Sequence, residues 1–91
     1  MDNKTKKDFQ KVIKTIRRDR EYPKAMMTGL QMRHNTATVN CGGEWKPAGY
    51  TRELAEEVME DKLFQEFLSK WEAEAEIELN SAKSWQIRIY F

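Results

Sequence analysis

Residues 71–79 read WEAEAEIEL and residues 84–91 read SWQIRIYF, and the pattern of these two segments is the strongest indication of the fold. In both, apolar residues hold the odd positions and polar residues the even ones. Successive side chains of a strand point to opposite faces, so a period of two is typical of a half-buried β-strand. The pattern predicts a strand from Trp85 to Phe91 and favours a hairpin that joins it to residues 71–79.

The hairpin predicts a definite register between its two strands. Pairing Leu79 with Trp85 sets Ile77 opposite Ile87 and Glu76 opposite Arg88, which makes favourable cross-strand pairs. Propensity argues the other way, because Ala and Glu form helices readily and strands poorly. In a helix, however, Ile77 would point away from the apolar face. Both states of residues 71–79 stay open, and the hairpin is preferred.

The N-terminal segment has two stripes at helical spacing. Apolar residues recur at i, i+3, i+4 and i+7 as Phe9, Val12, Ile13 and Ile16. A basic stripe lies almost diametrically opposite them, at about 100° per residue; it consists of Lys4, Lys7, Lys11, Lys14 and Arg18. We expect a first helix that begins with Thr5 as its N-cap and ends before Pro23.

Between this helix and the C-terminal strands, the sequence predicts a hairpin, a loop and a broken helix. In residues 26–41 apolar and polar residues alternate on both sides of a turn at His34 and Asn35. Residues 42–50 contain a glycine pair and a proline, which predict a loop. Thr51 is a candidate N-cap for the next helix. The apolar phase then shifts by more than 90°, which predicts a kink or break near Asp61, with Asp61 able to cap the second piece.

These elements predict a small α+β protein, with residues 1–91 as one domain. The strands would form one antiparallel sheet, and the apolar stripes of the helices would cover one of its faces. A chain of this length buries roughly 60–65% of the surface that its unfolded form exposes, so we expect a small core.

Charge is divided between the two halves of the chain. Residues 1–52 contain 12 Lys/Arg and 5 Asp/Glu, a net of +7, whereas residues 53–91 contain 4 Lys/Arg and 10 Asp/Glu, a net of −6. Such a chain either binds charged partners or pairs its own halves. Self-association of the basic stripe with the acidic half of a second copy is one expectation.

The preferred functional hypothesis is a small non-enzymatic regulator or inhibitor that binds another protein and occludes its working surface. Compact, cofactor-free chains encoded by phages or mobile elements often have this character, so a regulator of the phage or mobile-element type is one expectation. As a strand, residues 71–79 would present a row of carboxylates about 6.8 Å apart, and exposed aromatics beside cations suit an interface loop. The candidate binding residues are Glu72, Glu74, Glu76, Glu78, Trp45 and Tyr50. The alternative hypothesis is a nucleic-acid-binding module that neutralises phosphates with the basic stripe.

Other chemistries have little support in the sequence. Cys41 and His34 are the only soft metal ligands, fewer than a structural zinc site needs, and a Cys–His enzyme would also need an orienting group. We therefore expect no metal, no cofactor and no catalytic residue. The polar N-terminus and the absence of a long apolar run predict a cytoplasmic protein that does not bind membranes.

Overall fold

The computed structural model describes residues 3–20, 28–33, 35–42, 50–81 and 84–91. Within these ranges the chain forms three helices, α1 (Asn3–Arg20), α2 (Tyr50–Glu60) and α3 (Lys62–Lys70). It also forms four strands, β1 (Thr28–Arg33), β2 (Thr36–Gly42), β3 (Glu74–Ser81) and β4 (Ser84–Tyr90). The predicted α+β class is confirmed.

The C-terminal hairpin has the predicted register. Leu79 pairs with Trp85, Ile77 with Ile87 and Glu76 with Arg88 in the antiparallel β3–β4 ladder. Alternation of apolar and acidic residues therefore outweighs the helix propensity of Ala and Glu. The reason is that both strands bury one face against the same core, which a helix through Ile77 could not do.

The start of this strand was predicted too early. Trp71 and Glu72 form the C-terminal cap that follows α3, and β3 begins only at Glu74. The Glu72 N–H donates to the Ser69 carbonyl at 3.2 Å and the Ala73 N–H donates to the Leu68 carbonyl at 2.8 Å. This pair of bonds is the Schellman arrangement that closes a helix C-terminus. Glu72 therefore belongs to a helix cap and not to a strand.

The four strands form one antiparallel sheet in the order β1-β2-β4-β3. β4 lies between β2 and β3, so its apolar residues form rows with both neighbours. Ile87 faces Val39 and Ile77, and Ile89 faces Ala37 and Ala75. Val39, Ile87, Ile89 and Ala37 are at most 1% exposed. One face of the sheet is thus the floor of the core.

Helix α1 buries the predicted apolar stripe. Phe9, Ile13 and Ile16 are buried, Val12 is partly buried, and the Phe9 ring stacks on Phe67 of α3 with centroids 5.2 Å apart. The predicted N-cap is wrong, because α1 already begins at Asn3.

Thr5, the predicted cap of α1, is instead the third residue of the helix and is 4% exposed. Its side chain belongs to the side of α1 that packs on the rest of the molecule. A capping pattern placed two residues inside the helix therefore identified the right segment but the wrong first residue.

The predicted break at Asp61 is confirmed. Asp61 separates α2 from α3 with an extended backbone (φ −65°, ψ 134°), and its carboxylate accepts hydrogen bonds from the N–H groups of Leu63 and Phe64 at 2.9 and 3.4 Å. The change of direction lets both helices bury their apolar faces. The residues so buried are Leu54, Ala55 and Val58 of α2 and Phe64, Phe67 and Leu68 of α3.

Two turn predictions have different outcomes. Asn35 lies between β1 and β2 with φ 60°, as expected for an asparagine in a left-handed turn. Thr51 is not the N-cap of α2, because the helix begins at Tyr50 and includes Thr51. Pro23, His34 and residues 43–49 lie outside the described residues.

Candidate functional site

The sheet has a second, polar face that the described helices do not cover. The buried residues found in β2 and β4 lie on the core face, whereas the described side chains on the opposite face are partly or largely exposed. We call its β3 and β4 portion the acidic sheet face. It consists of Glu74, Glu76 and Glu78 of β3 with Gln86, Arg88 and Tyr90 of β4.

Three glutamates line this face along β3, and we call them the glutamate row: Glu74, Glu76 and Glu78. Alternate residues of a strand are about 6.8 Å apart on one face. Glu74 and Glu76 are exposed, and the Glu78 side chain is 34% exposed. The row and Arg88 together carry a formal charge of −2.

Strand β4 supplies donors that hold two of the three carboxylates. The Gln86 amide and the Arg88 guanidinium each donate to the same oxygen of Glu78, at 3.0 Å. The Tyr90 hydroxyl donates to Glu76 at 2.5 Å. Arg88 faces Glu76 in the register but reaches diagonally to Glu78, so the predicted pair exists as a register pair and not as an ion pair.

These contacts change the acidity of the groups involved. The hydrogen bond from Gln86, a hydrogen bond with the neighbouring Glu76 carboxyl and the charge of Arg88 lower the pKa of Glu78 from its ordinary value of 4.5. The hydrogen bond to Glu76 and its negative charge raise the pKa of Tyr90 above 10.0. At neutral pH Glu78 is therefore ionised, and Tyr90 keeps the proton that it donates.

Glu74 is the carboxylate of the row that is not held in this way. It is exposed at the start of β3 and takes part in none of the hydrogen bonds or ion pairs found between described residues. This end of the row is the most open to an external cation.

The remaining predicted binding residues do not join this site. Glu72 is exposed but lies in the α3 cap with φ 51°, before the strand begins, so its carboxylate is not in the row. Trp45 lies outside the described residues. Tyr50 is the first residue of α2, and its side chain is also outside the described part of the chain.

The edge of the sheet next to the glutamate row exposes apolar surface on the core side. Leu79 of β3 is 59% exposed, although it stands in the same row as buried Cys41 and partly buried Trp85. The Arg52 guanidinium lies over the Trp85 ring, 4.9 Å from its centroid. Helix α2 therefore shields Trp85 but leaves Leu79 uncovered.

The basic stripe of α1 is exposed along its length. All five of its cations are exposed, and among the described residues only Arg18 is in an ion pair, with neighbouring Asp19 at 3.1 Å. Helix α1 spans 18 residues, so it is about 27 Å long. The five cations therefore lie on the solvent-facing side of α1, as predicted. The basic stripe lies apart from the glutamate row.

A groove between α1 and α3 was not predicted from the sequence. It has a volume of about 420 Å³ and an apolar floor that includes Val12, Leu63 and Phe67. The Lys70 Nζ forms an ion pair with the Asp8 carboxylate across this groove, with 2.8 Å between nitrogen and oxygen. The periodicity of each helix was readable, but their mutual packing decides that a gap remains between them.

The residues that support other chemistries are few. Cys41 is fully buried on the core face, and burial raises the pKa of its thiol to about 12, so it is a packing residue. In the described ranges no three His, Cys, Asp or Glu side chains form a group able to hold a metal ion. None of the described helices is both long and apolar enough to span a bilayer.

Comparisons with protein-family models, with curated proteins and with solved structures found no match to this chain.

Proposed function

We propose that this is a non-enzymatic protein that binds a basic surface of a protein partner through the acidic sheet face. One observation carries the proposal. The glutamate row stands on a sheet face that the described helices leave open, while the core face of the same strands is packed. An open face with a net charge of −2 is complementary to clustered Lys or Arg side chains.

The contacts from β4 favour binding because they fix the carboxylates before a partner arrives. Gln86 and Arg88 orient Glu78, and Tyr90 orients Glu76. Less side-chain entropy is then lost on association. Each carboxylate has about four acceptor sites, so a held glutamate can still accept from an incoming guanidinium. Binding of this type would act by occlusion, since the sheet face covers the surface on which it docks.

The test is capture of a partner from the organism that encodes the chain, followed by titration with the purified partner. We compare the wild type with a double variant, Glu74→Lys with Glu76→Lys. Reversal of two interfacial charges leaves like charges facing each other, and such juxtaposition costs several kcal/mol. We expect the affinity to fall by about a hundredfold or more.

A matched control reverses the same number of charges elsewhere. Glu53→Lys with Glu60→Lys changes two exposed carboxylates of α2 and gives the same net charge. We expect this variant to bind the partner nearly as well as the wild type. Equal loss of affinity in both double variants would mean that net charge, and not the acidic sheet face, drives association, and the proposal would be wrong.

A second candidate function is binding of a nucleic-acid backbone by the basic stripe. It is favoured by a specific observation, namely that four of the five cations have no ion-pair partner among the described residues. Helix α1 as a whole carries eight Lys/Arg and two Asp/Glu, a net of +6. Phosphate contacts of this kind give affinity without sequence reading.

A fluorescently labelled duplex tests this second function. With three to five phosphate contacts, we expect the slope of log K against log salt to be about −3 to −4.5. The variant Lys7→Glu, Lys11→Glu and Lys14→Glu should lose binding, whereas Glu74→Lys with Glu76→Lys should keep it. Absence of a complex at low salt would exclude this function.

A further inference from the structure

We infer that the outer edge of β3 binds an extended segment of the partner as an additional strand, and that this segment alternates cationic and apolar residues. The inference rests on the proposed function and specifies how the glutamate row is recognised. It is carried by the position of β3 in the sheet, the alternation of its two faces and the exposure of Leu79.

β3 is an edge strand within the described part of the chain. It pairs with β4 on one side, and no other described strand pairs with its second side. An edge strand presents unpaired backbone N–H and C=O groups, which is the template for strand addition. β3 is eight residues long and contains no proline, so it can support several backbone hydrogen bonds.

Side chains along this edge present two different surfaces. The glutamate row lies on the open face, whereas Ala75, Ile77 and Leu79 lie on the core face. Ala75 and Ile77 are partly buried, and Leu79 is 59% exposed. An added strand would place every second side chain beside the carboxylates and the others beside this apolar surface, where they would cover Leu79.

β4 shows what kind of strand pairs with β3. Opposite the carboxylates it places hydrogen-bond donors, and opposite the apolar residues it places Trp85, Ile87 and Ile89. A segment on the other edge would meet the same two surfaces. It would therefore be selected by the same chemistry, with Lys or Arg on the open face and aliphatic or aromatic residues on the core face.

A second copy of this chain fits the edge poorly. Antiparallel pairing of two β3 strands on a common open face would bring two glutamate rows together, and like charges directly opposite are destabilising. The carboxylates thus oppose edge-to-edge self-pairing and favour a basic segment instead.

The test uses a short synthetic peptide that alternates lysine and valine, titrated into the full chain. A matched peptide is N-methylated at two adjacent central residues, which removes one donor from each edge of the strand but keeps every side chain and charge. We expect the first peptide to bind and to slow amide hydrogen exchange along β3. Loss of one or more backbone hydrogen bonds should weaken the methylated peptide by about tenfold or more.

The outcomes separate this inference from the proposed function. Equal affinity for both peptides, lost in Glu74→Lys with Glu76→Lys, would overturn strand addition while the proposed function stands. Peptide affinity that is unchanged in this double variant would overturn both the inference and the proposed function. Failure of the unmethylated peptide to bind at millimolar concentration would overturn the inference, and the partner titration would still decide the proposed function. The α2 double variant should bind both peptides like the wild type.

Discussion

Glu72 shows at the scale of one residue how the helix–strand junction is made. Its φ of 51° lies in the left-handed region, where a residue with a Cβ is strained by roughly 1–2 kcal/mol. The position is the one at which a Schellman motif favours glycine. The two backbone hydrogen bonds to Leu68 and Ser69 stabilise the turn despite this strain.

We predict that Glu72→Gly stabilises the protein by about 0.5–1 kcal/mol, because glycine relieves the left-handed strain but increases the entropy of the unfolded chain. The measurement is the free energy of unfolding from urea titrations. Glu72→Ala removes the same carboxylate but keeps the Cβ, so it should not give this gain. Equal stabilisation by glycine and alanine would assign the effect to charge and contradict the backbone argument.

The contacts of Glu78 make the free energy of unfolding depend on pH. Its pKa is lower in the folded protein than its ordinary value of 4.5, so its stabilising contribution is present above that pH and is lost as the pH falls through the folded-state pKa. We expect wild type to be more stable than Glu78→Gln at neutral pH, and the difference in unfolding free energy to shrink as the pH falls below 4.5. Urea midpoints at several pH values measure this. A difference that stays constant with pH would contradict the prediction.

At the scale of elements, the break between α2 and α3 depends on one side chain. The Asp61 carboxylate accepts from two otherwise unpaired N–H groups at the start of α3. We predict that Asp61→Ala destabilises the protein by about 1 kcal/mol and that Asp61→Asn retains most of the stability, because asparagine is also a good N-cap. Chemical unfolding measures both.

The neighbouring Glu60 supplies the control for this prediction. It is exposed at the last position of α2, so Glu60→Ala should change the unfolding free energy by less than about 0.5 kcal/mol. An Asp61→Ala variant as stable as Glu60→Ala would show that the cap contributes little.

At the scale of the whole molecule, Cys41 reports on opening of the core. Its side chain is fully buried in the core between the sheet and the helices, and burial raises its pKa to about 12. We predict that a thiol reagent labels the native protein roughly a thousandfold more slowly, or slower still, than the chain in concentrated guanidinium chloride. Fast labelling in native buffer would contradict the burial of β2.

Charge, unlike the core, is arranged on separate surfaces of the molecule. The basic stripe lies on α1, which packs against α3, whereas the glutamate row lies on the opposite side of the sheet from the helices. Self-association through these two charged surfaces stays a prediction. A solution mass that falls as salt rises would support it, and a mass that is independent of salt would exclude it.

Much of this arrangement is readable in the sequence. Period two in residues 71–91 predicted the β3–β4 register, and the phase shift around Asp61 predicted the broken helix. The errors are at element boundaries. Glu72 was assigned to the strand because alternation continues through it, but backbone hydrogen bonds to α3 decide that it caps the helix. Thr5 and Thr51 were assigned as caps because threonine favours the N-cap position, but α1 begins at Asn3 and α2 at Tyr50.

Local patterns in the sequence establish which residues can share a face, because periodicity depends only on local backbone geometry. They therefore determined the basic stripe, the alternation of β3 and the apolar set of the core. Contacts made in the folded protein place β4 between β2 and β3. They also allow Gln86 and Arg88 to donate hydrogen bonds to Glu78, and they leave Leu79 exposed at the edge of the sheet. Strand order and the burial of individual side chains depend on contacts between segments far apart in the chain, and local sequence patterns do not predict these contacts.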